Sequence, residues 1–433
     1  MGESPRPSPT KPGTAGGRID FTAPTPLNAA ARMDNPPRWL TATPLVYGGN
    51  LQFWERDAGL LCLGLRELGS DARLVLLGEP AEQRDPPLIL GRLEDFKNPA
   101  WWSRWNATGV VLNSWGAPRF EPVARAIKHA GLRLVVRLDS NGDKSPRLNF
   151  RRYFNFLCCY HLERAQPMPV AASFLKALLY YTVRPAHDGP MCAHVGHANL
   201  ITIESPLARE RFAELLRRLG RADLIGRLRV VPHPVLDAFQ FHGGGSKLPV
   251  IIAAGRWESP FKDAQKLIRV LGMALSRETT ARAQVFGPGA DLLHLELARL
   301  PDTVRARVSV LGPVPHRDLV PAMQQAQIIL CTSRSESFHI ASAEGLCCGA
   351  AVVGPAEIPS MHWFTAEQSG TLAADRSDAR LAEALGEELL AWRSGKRDAL
   401  RISETWRNRF TARAVAAETL RLLDELTAPS RTC

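Results

Sequence analysis

Glu336 and Glu344 stand eight positions apart in the run Ser335-Glu-Ser-Phe-His-Ile-Ala-Ser-Ala-Glu-Gly345. The run follows an apolar segment of strand length over 328–331 and passes into a helical pattern. Were most of the interval helical, the carboxylates would lie ~12 Å apart at 1.5 Å per residue. That is wider than the ~5–9.5 Å of a paired-carboxylate hydrolase. It suits hydrogen bonding to hydroxyls at two ends of one long ligand, although two solvated glutamates on a helix are the plainer reading. Gly255-Arg256 closes a strand over 250–254, and Lys262 begins the next helix. Two cations and a helix N-terminus at one spot suit a diphosphate, because the positive dipole end and free N–H groups both face the anion. Gly48-Gly49, between the first strand and the first helix, would let a phosphate approach the backbone closely, or make a tight turn.

The elements that must position these residues alternate. Strands are expected over 43–47, 72–77, 110–113, 132–138, 199–203 and 229–231, with helices over 53–68, 122–130, 207–219 and much of 149–181. Ser205-Pro206 is an N-cap followed by proline at the first helical position. Gly243-Gly244-Gly245-Ser246 reads as an interdomain hinge. Beyond it strands over 250–254, 283–286, 308–311, 328–331 and 351–353 alternate with helices over 264–275, 291–300, 318–325 and 341–348. Two further helices, 381–392 and 412–426, end the chain. Alternation on both sides of one hinge implies an α/β fold with two Rossmann-like parallel-sheet domains, whose ligands bind beyond the carboxyl ends of the strands.

Together these residues resemble the retaining GT-B glycosyltransferases of family 4, the group 1 glycosyl transferases. The likeness covers roughly 45–425 and is strongest over 249–375. Val250 to Arg256 with Lys262 resembles the family's strand–Gly-Arg–Lys segment. Leu311-Gly-Pro-Val314 resembles its base-binding turn, and Ser333 to Gly349 its E-x7-E loop and helix. Ser369 to Leu372 resembles the glycine segment that follows. Val230 to Val235 resembles the strand entering the linker, and Gly48-Gly49 takes the first-loop glycine position. The resemblance implies that Gly255, Arg256 and Lys262 bind the donor diphosphate and that Glu336 contacts the transferred sugar, with Phe338, His339 and Ile340 beside it. Glu344 would hold the ribose, the Val314 backbone the base, and Gly48 and Gly49 would close over the phosphates. It further implies a UDP- or GDP-type nucleotide sugar as donor substrate, no cofactor, no metal, and retention without a covalent enzyme intermediate. Glu336, Arg256 and Lys262 would be the catalytic set.

Three departures stand out. Ser337 and His339 replace glycines common in the family. Asp139 to Asp143 follows the strand over 132–138 where many members place a histidine, so Asp139 and Asp143 become possible donor or acceptor contacts, or members of a polar turn. The polar start of the chain has no counterpart. A competing set, His187, Cys192, His194 and His197, has zinc-like spacing but lacks a regular second pair and reads as a loop.

The chain has 433 residues and a formal net charge of +11, with 45% hydrophobic and 22% charged residues, which excludes a wholly disordered chain. Residues 1–240 carry +9 and 241–433 only +2, and 45 of the 54 cations are Arg. An Arg-rich composition alone could supply this charge; its functional use would be to hold an acidic acceptor or an anionic membrane, and Trp101, Trp102 and Trp105 read first as core packing and second as a membrane contact beside the cations from Arg119 to Arg152. No specific nucleic-acid signature is visible. No apolar run reaches ~18 residues, no secretory signal is visible in the first thirty, and the cysteines suggest a reducing compartment. A cytoplasmic protein, at times peripheral on the inner membrane face, is expected. The expected parts are a disordered Pro-rich tail (1–40), an acceptor domain (41–240), a hinge (241–248), a donor domain (249–407) and a crossover helix with tail (408–433). The expected activity is transfer of a hexose-type sugar to a glycan, lipid or small molecule. Alternatives are an inactive nucleotide-sugar-binding or assembly subunit and a nucleotide-sugar epimerase of the same fold.

Overall fold

The computed structural model describes residues 36–44, 54–83, 87–163 and 170–427, the side chains of 184–187 excepted. Eight strands form the first sheet: β1 (Arg38–Thr43), β2 (Asp71–Leu77), β3 (Ala81–Gln83), β4 (Leu88–Gly91), β5 (Gly109–Asn113), β6 (Arg133–Arg137), β7 (Leu200–Ile203) and β8 (Leu228–Val230). Their spatial order is β3-β4-β2-β1-β5-β6-β7-β8, parallel except for the β3–β4 edge pair. Around them lie α1 (Asp57–Glu67), α2 (Leu93–Phe96), α3 (Pro99–Ser103), α4 (Glu121–His129), α5 (Phe150–Glu163), α6 (Val170–Thr182), α7 (Arg184–Gly196) and α8 (Pro206–Arg218). Strands β5 and β6 are buried almost end to end. That is why they read as unbroken apolar runs: a parallel sheet covered on both faces has no solvent side to alternate with.

The second sheet is wholly parallel, β11-β10-β9-β12-β13-β14, which is the doubly wound order with its switch point between β9 and β12. Its strands are β9 (Leu248–Ala254), β10 (Arg282–Phe286), β11 (Val308–Gly312), β12 (Ala326–Leu330), β13 (Ala351–Pro355) and β14 (Gly370–Ala373). The helices are α9 (Ala264–Arg277), α10 (Ala290–Leu297), α11 (Asp302–Arg305), α12 (Leu319–Gln325), α13 (Ile340–Cys347), α14 (Pro359–Phe364), α15 (Asp378–Arg393), α16 (Ala399–Phe410) and α17 (Ala412–Thr427). Both sheets belong to one compact unit that begins at Pro36.

The chain crosses between the sheets twice. It leaves β8 for β9, and it returns after α16 so that α17 lies on α1 of the first sheet. Gly64 makes that contact: a Cβ there would stand 2.1 Å from the Ala412 carbonyl oxygen. Arg413 adds a hydrogen bond to the Glu67 carbonyl at 2.7 Å. The two crossings are tied together by a parallel bridge, Val235 to Thr411.

Several expectations need correction. The first strand begins at Arg38, inside the stretch read as tail. Pro36-Pro37 disguised it, yet Trp39 and Leu40 are fully buried. Residues 45–47 of the expected strand lie outside the described residues. Residues 187–197 are mostly helix α7, with Pro190 inside it, not a loop. Trp101 and Trp102 are core residues, packed on Phe96, with the Trp102 indole N–H donated to the Phe96 carbonyl. For these two the core-packing reading holds, and the membrane-contact alternative does not.

Candidate functional site

The loops after β6, β9 and β12 meet in a cleft of about 800 Å³ whose walls include Asn141, Arg152, Phe261, Arg334 and Glu336. Glu336 reaches it from the loop between β12 and α13. That loop is irregular and helix α13 starts only at Ile340, so the Glu336–Glu344 interval is half loop and the all-helical spacing does not hold. Glu336 Oε1 accepts from Lys262 Nζ at 2.5 Å. Burial, the largest single influence, would raise the Glu336 pKa, but the Lys262 ammonium together with His339 and the Ser333 side chain holds the carboxyl below its usual value. The Lys262 stem lies over Gly255, where a Cβ would meet it at 3.3 Å. Of the residues expected at the donor site, Gly255, Lys262 and Glu336 thus form one contact group.

Arg256 points elsewhere. It is 68% exposed and donates to Glu163 of α5 at 2.8 Å, across the cleft. Glu344 sits deeper, buried, and accepts from His316 Nε2 at 2.5 Å; His316 Nδ1 lies 3.7 Å from Glu55. Burial would lower the His316 pKa, but the hydrogen bond and charge of Glu344 raise it above the usual value. Val314, two residues before His316, is half-buried on the same turn. Phe338 is fully buried among Phe364 and Phe410, at ring distances of 5.0 and 5.4 Å. It can offer a ligand only its backbone. His339 is left-handed (φ 65°), buried, and bonded through Nδ1 to the Ser342 hydroxyl at 2.7 Å. Burial pushes its pKa down to about 4, so it is a neutral imidazole at the start of α13. The family's glycine there is explained by that positive φ, which His339 adopts at some backbone strain. Gly48 and Gly49 lie outside the described residues.

Asp139 and Asp143 differ in kind. Asp143 is held by Arg211 at 3.4 Å and Arg152 at 3.6 Å. Asp139 accepts from the Trp115 indole at 2.9 Å and from His233 Nε2 at 3.1 Å, and the Ser337 side chain supports its charged form. His233 Nδ1 in turn lies 2.7 Å from Asp57. Burial would lower the His233 pKa, but Asp57 and Asp139 push it up to about 10. The imidazolium therefore joins the start of α1, the end of β6 and the interdomain segment. Sequence reasoning missed it, although Pro232-His233-Pro234 stood in a quoted motif. Glu204 completes the group by accepting from the backbone N–H of Asp139 and Ser140 at 2.9 and 2.8 Å. Asp139, Glu204 and His233 bring potential ligand atoms within 4.8 Å of one another. Each Glu204 oxygen accepts one backbone hydrogen bond, and His233 stands between the carboxylates of Asp57 and Asp139.

The zinc-like set does not assemble among the described side chains. His194 is buried and bonded to the Ser114 hydroxyl at 2.8 Å, with burial lowering its pKa to about 4, while His197 pairs with Glu121 at 2.8 Å. The His187 side chain lies outside the described residues. The seven described cysteines form no disulfide. Among the described residues no helix is long and apolar enough to cross a membrane.

Comparison with known proteins supports the same reading. Residues 248–390 match the family model described as Glycosyl transferases group 1. A curated relative is GDP-mannose:cellobiosyl-diphosphopolyprenol alpha-mannosyltransferase of Xanthomonas campestris, 32% identical over 131 residues, covering 28% of this chain and 33% of that protein. The protein of that name from Xanthomonas oryzae pv. oryzae is 33% identical over 132 residues, with the same coverage of each chain. The chain thus matches about a third of the length of these relatives. Among solved structures, Anabaena HepE in complex with UDP superposes with a TM-score of 0.61 at 15% identity, over 90% of this chain and 100% of that one. Sucrose-phosphate synthase from Thermosynechococcus elongatus gives 0.57 at 14%, over 91% and 100%. At such identities these likenesses show the fold. The second domain carries the sequence pattern of the group 1 glycosyl transferases, and the chain as a whole has the GT-B fold of the glycosyltransferases it superposes on.

Proposed function

We propose that the chain is a glycosyltransferase that moves a sugar from a nucleotide-diphosphate donor to an acceptor, with retention and without a metal. The observation that carries this reading is the Lys262–Glu336 pair at 2.5 Å, set at the carboxyl end of β9 in a cleft between two parallel sheets. A diphosphate entering the cleft offers Lys262 a stronger anion than one carboxylate. Glu336, released from that contact, is left to accept hydrogen bonds from the sugar. Arg256 can swing from exposed Glu163 to the same phosphates. Charge that develops on the departing nucleoside diphosphate then meets fixed cations in a partly dry site, the largest expected catalytic contribution. Glu344, oriented by His316, faces the nucleoside side and suits ribose hydroxyls.

The donor is of the UDP or GDP type. HepE was crystallised with UDP, and the Xanthomonas relatives are named for GDP-mannose and a diphosphopolyprenol acceptor. A lipid-linked acceptor is accordingly the first class to try. The test is calorimetric titration with UDP, GDP and ADP, followed by donor turnover with polyprenyl-diphosphate-linked sugars. One diphosphate should bind, and Lys262→Met should weaken it at least about tenfold, the loss of a charge-assisted contact. Equal binding by Lys262→Met sinks the site assignment. Tight binding with no turnover of any donor over that acceptor set would favour a subunit that only binds.

A further inference from the structure

Helix α6 buries only a narrow stripe. Ser173 and Ala177 face α5, where Ala177 packs with Tyr153 and Leu157. The rest of the helix is apolar and uncovered among the described residues: Phe174, Leu175, Leu178 and Leu179 are between 40% and 56% exposed. An amphipathic helix ordinarily turns its polar side to water. Here the side away from the protein is the greasy one, and one helix presents four adjacent large apolar side chains.

The unpaired charges around this face have one sign. Between residues 147 and 183 the sequence has Glu163 as its only acid, and Glu163 is engaged by Arg256. Of the nearby cations, Arg147 pairs with Asp188 at 3.3 Å and Arg152 with Asp143 at 3.6 Å, which leaves Arg151 and, on α6 itself, Lys176 without an acidic partner among the described residues. Arg151 and Arg152 also line the cleft, so one edge of the helix pair faces the reaction site and the other carries the apolar patch. A second copy of the chain would bring these cations against themselves in a two-fold interface. Apolar side chains rimmed by cations instead match a surface that is apolar inside and anionic outside.

We infer that the α5–α6 pair docks this protein on an anionic lipid bilayer, with Phe174, Leu175, Leu178 and Leu179 inserted among the acyl chains and Arg151 and Lys176 on the headgroups. The cleft then opens beside the membrane, where an acceptor carried on a lipid can reach it. This docking stands on the surface alone and does not need the transferase reading to be right.

Flotation of the whole chain with vesicles tests it, comparing pure phosphatidylcholine with phosphatidylcholine containing phosphatidylglycerol. Wild type should float with the anionic vesicles, and added salt should release it. Leu175→Glu/Leu179→Glu should lower partitioning at least about tenfold, and Lys176→Glu about fivefold. Those side chains are exposed, and unchanged far-UV circular dichroism verifies that the variants fold. Wild type that stays with the unbound fraction, or a double variant that floats equally well, overturns the inference. So does a wild-type dimer on size exclusion that the double variant converts to monomer, because the face would then be covered by a second copy. Flotation that depends on the patch in a protein that binds no nucleoside diphosphate supports the docking while refuting the proposed function.

Discussion

Lys262 and Glu336 neutralise one another where the side chains are only 20% and 13% exposed. Lys262→Met therefore leaves a carboxylate buried without its partner, at a cost of about 3 kcal/mol, the low end for such a loss. Urea unfolding at neutral pH measures it. Glu336→Gln gives the pH signature. The Glu336 pKa is lowered in the fold, so its stabilisation is present above the unfolded value and is lost as pH falls through the folded one. The Tm gap between wild type and Glu336→Gln should close on acidification below about pH 4.5. His233 has the opposite sign. Its pKa rises to about 10, so its contribution is full below the unfolded value of about 6.5 and disappears as pH rises through about 10. The Tm advantage over His233→Gln should shrink between those limits. Lys247, whose pKa burial lowers to about 7, titrates in both proteins and cancels from that comparison. Lys262 and Glu336 could each be singled out in the sequence because both follow strands of one domain, although their ion pair could not. Nor could the group of Asp57, Asp139 and His233, because their charges meet only after three distant chain segments pack.

At the scale of elements, buried parallel strands were the readable part: β5, β6, β12 and β13 are apolar runs bounded by polar residues. Elements whose local signals contradict their burial were not. Pro36-Pro37 hid β1, Pro190 hid the helical state of α7, and α16 was missed because Trp406 and Phe410 are its main apolar anchors in a helix otherwise rich in charge. The loop after β9 depends on another element that no local pattern reveals. Gly287, after β10, has φ 115°, and a Cβ there would stand 1.8 Å from the Gly255 carbonyl oxygen. Gly287→Ala must push away the Gly255–Lys262 turn as well as adopt a strained backbone. It should cost about 1–3 kcal/mol in urea unfolding and weaken nucleoside-diphosphate binding, although residue 287 lies outside the proposed donor contacts. Unchanged affinity in the folded variant would show that the turn tolerates displacement.

On the scale of the whole molecule, several polar and aromatic side-chain contacts join the two domains across the cleft. Asn141 donates to the Ser335 hydroxyl at 3.2 Å, Arg256 to Glu163 at 2.8 Å, and Phe156 packs on Phe261 at 5.6 Å between ring centres. The covalent crossings, by contrast, are pinned side by side through Val235 and Thr411. An arrangement of this kind would pivot at the crossings and latch at the rim. The Arg256–Glu163 latch competes with the proposed donor contact for the same guanidinium. Because Arg256 is largely exposed, the pair is worth at most about 1 kcal/mol. Glu163→Gln should therefore tighten nucleoside-diphosphate binding by up to about fivefold at low salt, with the gain fading as screening rises. Arg256→Gln should loosen binding and, combined with Glu163→Gln, should erase that gain. A Glu163→Gln variant that binds more weakly would mean that the latch preorganises the cleft rather than competing for it, and calorimetry of the three variants distinguishes these directly.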